Sequence, residues 1–166
     1  MKVFANTSII LALIFIIGPR AAYSEEIQSI KLLDTIGRML ALQPCSKPID
    51  VVTKAINNKY DQQLKDGQRR TECPGLTVEV YVANSSQPAV ILPELVQLYT
   101  RNPKLPKSFS IGSSISKVQK LLGDPLASNK ESFTYSLSSE RPDEDTVSFF
   151  HKNGKVIKII WSWSVD

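Results

Sequence analysis

Apolar positions along the chain follow two different periods, and the changes between them predict its elements. Between 27 and 42, Ile27, Ile30, Leu33, Ile36, Met39 or Leu40, and Leu42 recur at close to helical spacing, so a first helix is expected to end before Pro44. Ile49, Val52, Ile56, Tyr60 and Leu64 stand three or four residues apart, and Pro48 and Asp50 suit a first helical turn. A second helix is therefore expected up to a stop at Gly67. From 76 to 82 the period drops to two, with Leu76, Val78, Val80 and Val82 alternating against Thr77, Glu79 and Tyr81, as in a half-buried strand. Residues 89–92 read as a short second strand followed by a helical turn opened by Pro93, and the proline-rich, basic stretch 101–107 reads as a linker.

Helical spacing returns at Ile115, Val118, Leu121 and Leu122, with Ser114 in position to cap and Gly123 to end the helix before Asp124-Pro125. A strand over 132–138 puts Phe133, Tyr135 and Leu137 on one face. After an acidic loop, Glu140 to Asp145, two apolar runs flank Asn153-Gly154 as a hairpin. A two-residue type I′ turn at Asn153-Gly154 would set Phe150 opposite Ile157 and Phe149 opposite Lys158, mixing apolar and polar residues on both faces. A three-residue turn, Lys152-Asn153-Gly154, with Gly154 forming a bulge sorts them better. Val147, Phe149, Ile157, Ile159, Trp161 and Trp163 then share one face, and Ser148, Phe150, Val156, Lys158, Ile160 and Ser162 share the other.

These elements predict an α+β protein: an N-terminal helical pair with a small β element, then a helix packed on a three-stranded antiparallel sheet. The expected division is a signal peptide over 1–24, an N-terminal α/β half over 25–100, the linker 101–107, and a C-terminal unit over 108–166.

The signal reading rests on Lys2, the apolar run from Ile9 to Ile17, Gly18-Pro19 and the small-residue exit Ala22-Tyr23-Ser24, with a run too short to span a bilayer. Removing Lys2 and Arg20 lowers the formal charge from +4 to +2. That near-neutral balance argues against nucleic acid as a partner, and signal cleavage would leave no stable membrane anchor. Export also changes the meaning of Cys45 and Cys73, which are expected to pair as a disulfide in an oxidising compartment, periplasmic or secreted.

Ile111-Gly112-Ser113-Ser114, Val118, Leu121-Leu122-Gly123-Asp124-Pro125, Phe133-Thr134-Tyr135, Val147-Ser148-Phe149 and Asn153-Gly154-Lys155-Val156 occur in an order that resembles the SmpA/OmlA outer-membrane lipoprotein domain and the similarly folded beta-lactamase inhibitor proteins. The resemblance covers roughly 109–163. It implies a non-enzymatic, exported bacterial protein that binds another protein with its sheet.

Candidate chemistry is sparse. His151 is the only imidazole, no Gly-x-Ser-x-Gly elbow is present, and the acidic loop lacks the spacing of a calcium loop, so neither cofactor nor metal is expected. The mixed sheet face offers more. Phe150, Val156, Lys158 and Ile160 have the composition of a partner-binding surface. The expected function is an exported protein that binds another exported protein, as an inhibitor or immunity-type partner. An envelope-assembly or structural accessory factor is the alternative, and a small hydrolase the third reading.

Overall fold

The computed structural model describes residues 20–57, 65–84 and 87–165. Most of the expected signal peptide, together with Tyr60 and Leu64 of the expected second helix, lies outside the described residues. Among the described residues the elements run α1 (Arg20–Leu42), β1 (Asp50–Asn57), β2 (Lys65–Cys73), β3 (Leu76–Ala83), β4 (Val90–Leu98), α2 (Ile115–Leu122), β5 (Ala127–Ser128), β6 (Ser132–Ser136), β7 (Thr146–Lys152) and β8 (Lys155–Ser162). All the strands form one antiparallel sheet in the order β1-β2-β3-β4-β8-β7-β6-β5. Each half of the chain is thus a helix followed by a four-stranded meander, and the last strands of the two meanders pair with each other.

This corrects the expected fold class, a helical pair followed by a helix on a three-stranded sheet. Residues 50–57 were expected in a helix, but the β-branched run Val51-Val52-Thr53 lies in β1 and pairs with β2 from Asp50↔Glu72 to Asn57↔Lys65. The polar β2 is a strand because it is paired on both sides, with Thr71 and Cys73 turned into the core. Nor does Pro93 open a helical turn. It stands in β4 at a register shift against β3, and pairing with β8 starts only at Leu95, so its missing N–H costs no rung between β4 and β8.

Both helices pack on one face of the sheet. The α1 stripe Leu33, Ile36 and Leu40 is buried as its spacing requires, and the helix stops at Leu42 ahead of Pro44. Trp161 of β8 donates its indole N–H to the Leu33 carbonyl at 3.0 Å, and Trp163 donates to Asp34 at 2.8 Å. Gly37 lies against Trp161: a Cβ there would lie 2.6 Å from the indole Cδ1. From α2, Ile115, Val118 and Leu122 enter the same core. Ser114 holds the N-cap position, yet its hydroxyl makes no capping bond and instead pairs with the Ser116 hydroxyl at 2.7 Å.

The bridge between Cys45 and Cys73 is formed and ties the segment after α1 to the end of β2. A disulfide fits an oxidising, extracytoplasmic compartment. No helix among the described residues is long and apolar enough to cross a membrane. The acidic loop contributes structure as well as charge, because Asp145 is buried and lies 3.8 Å from Arg38 and 3.5 Å from Arg141.

Candidate functional site

Strands β7 and β8 set which residues reach the sheet face opposite the helices. Asn153 and Gly154 both have positive φ and Lys152 pairs with Lys155, the pattern of a two-residue type I′ turn. The register then shifts: His151 pairs with Val156, Phe150 pairs with Lys158, and Ile157 is the extra residue of a bulge. The expected three-residue turn with its bulge at Gly154 is therefore not formed: the turn is the two-residue one, and a different bulge lies inside the strand at Ile157.

Its position decides the faces. Beyond the bulge the expected sorting holds, with Val147, Phe149, Ile159, Trp161 and Trp163 buried against the helices. Next to the turn the sorting reverses. Val156 is 1% exposed and Ile157 is 48% exposed, so Val156 cannot contribute to a binding face.

Phe150, Lys158 and Ile160 do come together on the open face. Phe150 and Lys158 are cross-strand partners, and the Lys158 Nζ lies 4.0 Å from the centre of the Phe150 ring. Ile160 stands between Ser148 of β7 and Gln97 of β4, and Leu95 extends the apolar part beside Ser162. A polar surround follows on both sides. Thr134 and Ser148 pair their hydroxyls at 2.8 Å, while Arg70 meets Glu72 at 2.9 Å and Glu79 at 3.2 Å. Gln68 donates to Glu94 at 3.0 Å across the β4 bulge, and the Tyr81 hydroxyl bonds the buried Asp66 carboxylate.

Leu95 and Gln97 are the members of this face that the helical reading of 93–99 concealed. The signal was present, since Val96 and Leu98 alternate with them at period two.

His151 lies at the end of the same hairpin, its ring stacked on Phe133 at 5.3 Å and its buried Nε2 without a hydrogen-bond partner among the described residues. Among the described residues, no group of three or more His, Cys, Asp or Glu is gathered closely enough to hold a metal ion. Comparison with protein-family models, curated proteins and solved structures finds no match to this chain.

Proposed function

We propose that this chain is a non-enzymatic protein of the periplasm or extracellular space, and that it binds another exported protein on the open face of its sheet. One observation carries the reading. Both helices lie on one face, and on the other Phe150, Lys158, Ile160 and Leu95 stay partly exposed with no described helix over them. A large aromatic residue carrying a cation, set beside aliphatic side chains and ringed by paired polar groups, is the anatomy of an interface centre with its rim. The resemblance of 109–163 to sheet-using binding proteins accords with this, and the Cys45–Cys73 bridge accords with export.

The test is quantitative capture from the native extracytoplasmic fraction with the intact chain and with Phe150→Ala and Lys158→Glu. At least one bound protein should be lost with both variants, Phe150→Ala weakening it by about 2 kcal/mol, while unfolding stability changes by less than about 1 kcal/mol. A bound set that is the same for all three proteins would overturn the proposal.

A further inference from the structure

The two edges of the sheet differ. One ends in β5, only two residues long, and the other in β1, with eight residues and neither proline nor glycine. β1 pairs with β2 alone among the described strands, and all but one of its residues are exposed. Val51 and Val52 are 48% and 53% exposed, so the strand is open on both faces. A long, regular, apolar edge of this kind is what soluble proteins normally blunt with prolines, bulges or repeated charges. Here Lys54 is the only cation on the strand.

We propose that two copies of this chain join edge to edge through β1, in an antiparallel pair centred on Val52. This edge is separate from the binding face around Phe150, which lies on β7 and β8. In a symmetric antiparallel pair, facing residues must point their backbone groups the same way, so the two-fold axis passes through one residue position and never between two. That leaves few registers, and charge separates them. An axis at Thr53 sets Asp50 against Ile56 and Val52 against Lys54. An axis at Lys54 brings two lysines together. With the axis at Val52, the two valines meet and Asp50 of each copy faces Lys54 of the other.

Asp50 also lacks a cation at home. Its cross-strand neighbour in its own sheet is Glu72, a like charge, and Lys54 stands opposite Gln68. Among the described residues neither Asp50 nor Lys54 makes a salt bridge. The Val52-centred pair supplies both missing partners twice over. It also keeps the two open faces on the same side, forming one continuous sheet.

Sedimentation of the intact protein over a wide concentration range tests this. A monomer–dimer equilibrium is expected, with outward-pointing β1 amides protected from hydrogen exchange in the dimer. Asp50→Lys and Lys54→Asp should each weaken association by about tenfold, because two attractive pairs become repulsive. The double variant Asp50→Lys/Lys54→Asp should restore it, and Val52→Lys should abolish it. All three positions of substitution are exposed, and an unchanged melting temperature confirms the fold. A chain monomeric throughout would overturn the proposal and leave the edge to an extended segment of a different protein. So would a dimer indifferent to Val52→Lys, or a charge swap no better than its single components.

Discussion

Tyr135 carries a phenol into the core without giving it a partner. The residue is 2% exposed, and among the described residues its hydroxyl has no hydrogen-bond partner. Burial, followed by the nearby Asp124 and Glu26 carboxylates, pushes its pKa from 10.0 up to about 12. Because an unpaired buried hydroxyl is unfavourable, Tyr135→Phe should leave stability unchanged or raise it by about 1 kcal/mol in urea unfolding. The raised pKa fixes the sign of a pH effect. Folding favours the protonated phenol, so its contribution is complete below pH 10.0 and is lost as pH rises through about 12. Tyr135→Phe should therefore be less sensitive than the parent to alkali in that window, and equal losses in both proteins would refute the assignment. At this scale the sequence is legible wherever alternation is regular, as it is for Phe149, Trp161 and Trp163. It misplaces Val156 and Ile157, because a bulge reverses the faces within a strand and its position depends on pairing.

At the scale of elements, the seam between α1 and β8 is set by the smallness of Gly37. Alanine normally improves a helix interior by about 1 kcal/mol over glycine. Here the added methyl would meet Trp161, which is held in place by its bond to the Leu33 carbonyl. Gly37→Ala is thus expected to lower stability by about 1–3 kcal/mol, measured by denaturant unfolding. A stabilised variant would mean that α1 can lift off the sheet at no cost. The helices themselves are readable from their apolar stripes, since Leu33, Ile36, Val118 and Leu122 occupy the core at the expected spacing. In the first half β3 is readable from its alternation, but β1 and β2 are not. Ile49, Val52 and Ile56 satisfy a helical period by coincidence, and β2 has so polar a sequence that only its neighbours make it a strand. The partner-binding candidates were legible in proportion: Phe150, Lys158 and Ile160 came from one hairpin, whereas Leu95 and Gln97 required knowing that β4 lies beside β8.

For the whole molecule, the disulfide fastens the segment leaving α1 to the second strand, closing a loop with a sequence separation of 28 residues. In the chain-entropy model such a loop contributes about 3–4 kcal/mol. Reduction should lower unfolding stability by about that amount, and the untreated protein should resist thiol alkylation until it is reduced. Free thiols in freshly isolated protein would contradict both expectations. The two halves share more than this link, because pairing of Leu95–Leu98 with Ile159–Ser162 makes their meanders one sheet. No local pattern announces that pairing, which joins positions more than sixty residues apart in the chain.

That central position of β8 also orders events in time. The strand lies between β4 and β7 and carries the fully buried Trp161, yet it follows every other strand in chain order. During synthesis, residues 20–98 emerge with the inner edge of β4 unpaired and the seat beneath α1 empty. They cannot close their core until residues 155–163 arrive. A chain interrupted before residue 155 is left with that edge of β4 open, and the arrival of residues 155–163 is the step that joins the two meanders.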